Sequence, residues 1–168
     1  VSDDLWVLAA PFRAHVRRVL EQTGLPWPVI ALAGDLPPAV VRSLLFGRDG
    51  RHRTRLPAPA ARRLLALDAD RLWAQRRSWV PAAPAAAAVI ELLSGGCPPS
   101  ALARYCRLSE PELIALIDAP LCTRLTELLA LAARMQWRRP LHALPGTRIP
   151  ASAHRVAAGE EPVARASA

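Results

Sequence analysis

The chain of 168 residues contains no lysine; all 22 of its basic residues are arginine. With so much alanine, that bias suggests a GC-rich bacterial genome. Aromatic residues make up only 5% and β-branched alternation is sparse, which speaks against extended sheets and for a mostly helical chain. No apolar run reaches the roughly 18 residues that span a bilayer. The acidic start, VSDDLW, has no basic segment ahead of an apolar stretch, so a secretory signal is not expected. Three cysteines, Cys97, Cys106 and Cys122, leave at least one unpaired, which suits a reducing cytoplasm.

Catalytic signatures are also missing. There is no phosphate-binding glycine loop and no G-x-S-x-G; of the paired carboxylates, Asp3-Asp4 and Asp68/Asp70 read as helix-end or surface charge and Glu160-Glu161 belongs to the tail. Cysteine spacings of nine and sixteen match no zinc or cluster motif, and His15, His52, His142 and His154 are scattered. The expectation is a protein that is not an enzyme, with no cofactor and no metal. A hydrophobic content of 52% and this length allow a real core.

What the chain does have is a concentration of positive charge. The segment 42–63 holds Arg42, Arg48, Arg51, Arg53, Arg55, Arg62 and Arg63 against the single acid Asp49, net +6 in a chain of net +8. Residues 1–80 are basic, residues 81–137 slightly acidic, and the tail 138–168 basic again. A basic half joined to a near-neutral half implies a division of labour.

The two halves also repeat. At an offset of 72, Gly24, Pro26, Ala31, Leu36 and Leu44 match Gly96, Pro98, Ala103, Leu108 and Leu116. LLAL at 64–67 then matches LLAL at 128–131 at an offset of 64, implying eight extra residues in the first copy, within the arginine-rich stretch. Each copy has the spacing of a helix-turn-helix. A small residue on the first helix (Ala31, Ala103) permits a close crossing, an apolar residue fills the turn (Leu36, Leu108), and two apolar anchors three apart hold the second helix (Val41 and Leu44; Leu113 and Leu116). Leading helices are expected at 11–22 and 84–94 and trailing helices at 58–76 and 120–137. A capping box is expected at Ser109–Glu112, and Val80–Pro84 reads as the seam.

On these residues the chain resembles the helix-turn-helix of lactose-repressor-type and phage-repressor-type regulators, whose turn often reads A-G-V-S; here it is Ala33-Gly34-Asp35-Leu36. The order turn, short helix, LLFGR, basic loop, L-x-P-x-x-A-R-R-L-L-A-L is similar to small regulators of actinobacteria and their phages. The chain departs by placing Asp35, and Arg107 in the second copy, where such proteins usually have Gly at positive φ. The resemblance implies an all-α fold of tandem helix-turn-helix units: 1–79 with the basic loop, 80–137 degenerate, and 138–168 a flexible basic tail.

It further implies a cytoplasmic transcription regulator whose partner is double-stranded DNA. The second helix of the first copy would enter the major groove with Pro38, Ala39, Arg42 and Ser43 outward. Asp49-Gly50 is a two-residue turn signal, so Arg48, Arg51, His52, Arg53 and Arg55 form a short hairpin or loop reaching phosphates or the minor groove. Arg51, Arg53 and Arg55 would share one side if extended. Arg62 and Arg63 contact the flanking backbone. The second copy shows Glu110, Glu112 and Ala115 outward, which repel phosphate, so it packs on the first copy, on a homodimer mate or on another protein; a second DNA reader using Arg104 and Arg107 is the other reading. The competing accounts of the arginine segment are a solvated loop, an RNA partner, and a protein-binding adaptor that docks the arginines on an acidic surface of the transcription machinery. Trp27 reads as core, and Trp73 and Trp79 as core or as a join between halves. Cys97 and Cys106, in place of Leu25 and Gly34, read as buried small residues.

Overall fold

The computed structural model describes residues 5–137. The first half runs β1 (Trp6–Leu8), α1 (Ala10–Thr23), α2 (Trp27–Ala33), α3 (Pro38–Phe46), β2 (Arg55–Pro57), α4 (Ala58–Leu65) and α5 (Ala69–Ala74). The second runs β3 (Trp79–Pro81), α6 (Ala83–Ser94), α7 (Pro99–Cys106), α8 (Glu110–Ala115), β4 (Leu121–Thr123) and α9 (Arg124–Trp137). No helix among the described residues is long and apolar enough to cross a membrane. The expected tail, 138–168, lies outside the described residues.

The helices start and stop for local reasons. Proline occupies the first turn of α1, α2, α3, α4, α6, α7 and α8, where its missing N–H has no helical partner to lose. On α1 the apolar spacing turns Val16, Val19 and Thr23 inward, and Gly24 ends the helix at φ 61° with its N–H on the Leu20 carbonyl. The capping box on α8 forms as expected, with the Ser109 hydroxyl accepting from the Glu112 N–H and the Glu112 carboxylate accepting from the Ser109 N–H at 2.7 Å. The trailing helix of the first half differs from the expected 58–76. Asp68 accepts from the Arg71 N–H and starts α5 afresh, so α4 and α5 are two pieces. In the second half the trailing helix is the continuous α9.

The all-α expectation fails. Two antiparallel strand pairs make the protein mixed α/β: β1 pairs β2 with Trp6 opposite Pro57 and Leu8 opposite Arg55, and β3 pairs β4 with Trp79 opposite Thr123 and Pro81 opposite Leu121. Each ladder clips the start of a half to the strand before its trailing helix. The clip continues identically beyond the ladders: the Ala9 N–H donates to the Thr54 carbonyl and the Ala82 N–H to the Pro120 carbonyl, while the Ala58 N–H donates to Leu5 and the Arg124 N–H to Ser78. Residues 80–84, expected as a seam, are therefore strand and helix start.

The two halves match in element order up to the trailing helix, which is split in the first and continuous in the second. Asp35 and Arg107 take the same left-handed turn conformation, φ 48° and 59°, and the Leu36 and Leu108 N–H groups donate to Ala31 and Ala103 at 2.8 and 2.9 Å. At the closing strands Leu56 corresponds to Cys122, an offset of 66 rather than 64. The first half thus carries six extra residues between its second motif helix and its closing strand, not eight. They form the arginine arm.

A single apolar core runs through both halves, from Val16, Ile30, Val41, Leu44 and Leu56 to Leu102, Leu113, Leu128 and Leu129. Helix α9 lies along α6 and also packs on α7 and, across the halves, on α2. Arg107 adds a polar tie, donating to the carbonyls of Thr23 (3.2 Å) and Gly24 (2.8 Å) at the end of α1 and lying over the Trp73 ring at 5.3 Å. Trp73 therefore joins the halves. Trp79 is 67% exposed and belongs to neither core nor join.

Candidate nucleic-acid interface

Helix α3 is short, nine residues, and its two faces separate cleanly. Val41, Leu44 and Leu45 are buried; Pro38, Ala39, Arg42 and Phe46 are exposed, with Ser43 half-buried between them. Its last carbonyls are held by arginines of α1. Arg13 Nε donates to Leu44 O at 2.8 Å and Arg17 donates to Leu45 O at 3.3 Å, so positive charge sits at the negative end of the helix dipole. A second Arg13 nitrogen donates to Arg53 O at 2.7 Å and pins the base of the arm to the same helix.

The arm leaves α3 through Gly47. At φ 74° this position already favours glycine, and a β-carbon there would meet Arg51 O at 2.6 Å. The chain then makes a two-residue hairpin: Arg48 and Arg51 exchange backbone hydrogen bonds of 2.9 and 3.0 Å, and Asp49 and Gly50 both have positive φ, 52° and 74°. That is the geometry of a type I′ turn. The arm returns through His52–Thr54 into β2.

The expected contact residues divide into two groups. Arg42, Arg48, Arg51, His52 and Arg55 are exposed, along with Pro38 and Ala39. Arg48 and Asp49 lie 3.8 Å apart with both side chains about 90% exposed, a pair too solvated to hold either. Arg53, Ser43 and Arg63 are engaged internally. Arg53 donates to Arg55 O at 2.9 Å and to Ser43 Oγ at 3.4 Å, with its guanidinium 6.0 Å from the Trp6 ring centre, and Ser43 Oγ donates to Val40 O. Arg51, Arg53 and Arg55 therefore do not act as one row. Arg63 donates to Asp35 O at 2.6 Å and lies 3.5 Å from its carboxylate, stapling α4 to the helix-turn-helix turn. Arg62 is exposed on α4.

The outward face of α3 and the arm together form one side of an open groove of about 1200 Å³. Trp27 lies at its floor, half-buried and edge-on to Phe46, with ring centres 6.1 Å apart at 73°. The far side is the end of α9, Met135–Trp137. The sequence reading missed Phe46, the α9 wall, and the holding roles of Arg13 and Arg17. Phe46 had a signal, since it sits on the outward side of α3 two turns beyond Ala39; the α9 wall had none.

The second half lacks this equipment. Glu110, Glu112 and Ala115 are exposed on α8 as expected, its link to β4 carries no arm, and Arg107 serves the join. Hydrogen bonds from the Ser109 backbone N–H and then its side chain hold Glu112 below the usual carboxylate range. Cys106 and Cys122 are buried and Cys97 is partly so; burial raises all three thiols, and pushes Cys106 up to about 12. No three His, Cys, Asp or Glu residues gather as a metal site among the described residues. Compared with protein families, with curated proteins and with solved structures, the chain gives no match in any of the three.

Proposed function

We propose that the protein is a sequence-reading, duplex-DNA-binding transcription regulator of the bacterial or phage cytoplasm, making its contact with α3 and the arginine arm. One observation carries this reading: the exposed face of α3, bearing Arg42, and the exposed arm, bearing Arg48 and Arg51, open onto the same groove. Arg42 is suited to a bidentate bond with guanine and Ala39 to a thymine methyl. Arg48, Arg51, His52 and Arg55 supply phosphate contacts that position the helix. Arg53, Ser43 and Arg63 support the reader by bracing it internally.

The test is selection from random duplex DNA at about physiological salt with the intact chain, Arg42→Ala, and the double variant Arg48→Ala/Arg51→Ala. A defined motif is expected. Arg42→Ala costs about 1–3 kcal/mol and relaxes one position, while the double variant weakens all sequences alike and flattens the salt slope by about 2. Enrichment without any motif would sink the reading.

An adaptor role draws support from a separate feature. Trp6 and Leu8 are 53% and 69% exposed, and Leu8 lies opposite Arg55 in the ladder. A mixed apolar and basic strip suits an acidic protein surface better than a phosphate backbone. Loss of a captured transcription-machinery protein in Trp6→Ala/Arg55→Ala, with duplex binding intact, would favour it.

A further inference from the structure

Three aromatic rings border the groove, and the duplex reading uses none of them. Phe46, on the last turn of α3, is 60% exposed. Trp27, at the start of α2, meets it edge-on and fixes the plane of the phenyl ring. Trp137, at the end of α9, is 39% exposed and is braced by Tyr105, ring centres 5.2 Å apart. These rings come from both halves, and the same groove is edged by Arg42, Arg48, Arg51 and Arg53.

Rings beside exposed guanidiniums match the two chemical faces of an unpaired nucleotide. Bases lie flat on aromatic rings whatever their identity, and the phosphates follow the positive edge. Paired bases cannot do this, because their faces are already covered by their neighbours in the stack. A peptide partner of acidic character would meet the arginines but would leave the ring faces without matching planes. A large exposed phenyl group at the edge of a basic groove otherwise leaves apolar surface in water.

We propose that the groove between α3 and the end of α9 binds single-stranded DNA, stacking unpaired bases on Phe46 and Trp137 while Arg42, Arg48 and Arg51 hold the phosphates. The choice of DNA over RNA rests on the duplex reading; the stacking itself does not. Bases enter between the two halves, so the second half contributes directly to binding through Trp137. Single-strand affinity depends on the rings and the arginines, whereas duplex affinity needs no stacked base.

The test is fluorescence anisotropy of the full chain with a labelled oligothymidylate of about 15 nucleotides, within the span of known single-strand sites. A duplex of equal length and an oligouridylate serve as the other arms. The oligothymidylate is expected to bind, and Phe46→Ala and Trp137→Ala each to weaken it by about tenfold, in line with the loss of one stacked base. Phe46→Trp should restore binding, Phe46→Leu should not, and duplex affinity should stay unchanged in Trp137→Ala, whose ring is on α9 and not on α3. Thermal melting of each variant separates lost stacking from lost folding, and Phe46→Leu keeps apolar bulk where Phe46→Ala does not.

Absence of oligothymidylate binding overturns the proposal. So does binding that is indifferent to both ring substitutions, which would make the groove a charged surface only. Oligouridylate bound at least tenfold tighter overturns the assignment to DNA. Oligothymidylate bound through the rings with no duplex motif in the selection above would leave this proposal standing and remove the duplex reading alone.

Discussion

Arginine has two separate tasks in this chain, and the hydrogen bonds to backbone carbonyls distinguish them. Arg13, Arg17, Arg63 and Arg107 donate to backbone carbonyls of other elements and hold helix ends in place. Arg42, Arg48, Arg51 and Arg55 face solvent. The planar guanidinium makes the first task feasible, since Arg13 reaches Leu44 O and Arg53 O with two nitrogens of one side chain. Arg13→Ala is expected to destabilise the protein by about 2 kcal/mol, charged hydrogen bonds being worth about 1.5–3 kcal/mol each before discount for partial exposure. Arg13→Lys should recover little, because one ammonium cannot span both carbonyls. Urea unfolding of the three forms measures both. Cys106 provides a pH-dependent expectation. Its folded thiol is pushed up to about 12 by burial, from an ordinary value of 9.0. The unfolded thiol therefore ionises first as pH rises. The stability that its neutral form contributes is complete below about pH 9 and is lost progressively from there toward pH 12. Cys106→Ala should flatten that part of a stability-against-pH profile, and a wild-type profile with no decline above pH 9 would contradict the burial effect.

At the scale of elements, the arm depends on backbone conformations that few residues tolerate. Gly47→Ala places a methyl group against Arg51 O and should displace the hairpin from α3. Because the arm buries little, the expected result is a loss of duplex affinity comparable to Arg48→Ala/Arg51→Ala with a small change in melting temperature. Asp49→Asn should act in the opposite direction. Asn is favoured in this turn and the change removes the arm's one acid, so duplex binding should tighten at low salt and the gain should vanish at high salt. Both are read by anisotropy titrations across salt. The helices α2 and α3 with the turn between them, the Asp49-Gly50 turn and the Ser109–Glu112 cap were legible in the sequence because each depends on residues within a few positions of one another. The strands were not. Each is three residues long, too short to show alternation, and pairs with a partner 40 or more positions away. Their trace is a second repeat, Trp6-Val7-Leu8-Ala9-Ala10-Pro11 against Trp79-Val80-Pro81-Ala82-Ala83-Pro84, whose alanines Ala9 and Ala82 are both fully buried behind the ladder. The split among the arginines was equally hidden, since Arg13 meets Leu44 across 31 positions and Arg63 meets Asp35 across 28.

For the whole molecule, the consequence of duplication is a shared core rather than two independent units. Helix α9 belongs to the second half by sequence, yet it packs on α2 of the first and walls the groove beside α3. Leu128 and Leu129 on α9 are each 1% exposed, and no surface chain can replace what they fill. Leu129→Ala removes buried apolar volume and leaves a cavity, at an expected cost of about 2–5 kcal/mol. If the halves folded separately, that loss would appear only in the second half, and unfolding followed by different probes would separate into two steps. With one core, helical circular dichroism and tryptophan fluorescence should instead trace a single coincident urea transition in both the native chain and Leu129→Ala, shifted as a whole in the variant. Arg107→Ala provides the complementary case. It breaks the tie to Thr23, Gly24 and Trp73 without making a cavity, so a smaller shift with the transition still single is expected. Two separated transitions in Leu129→Ala would mean that α9 serves the second half alone. The groove's far wall would then move independently of the arginine arm, and the single-strand site, which needs both sides, would lose its physical basis.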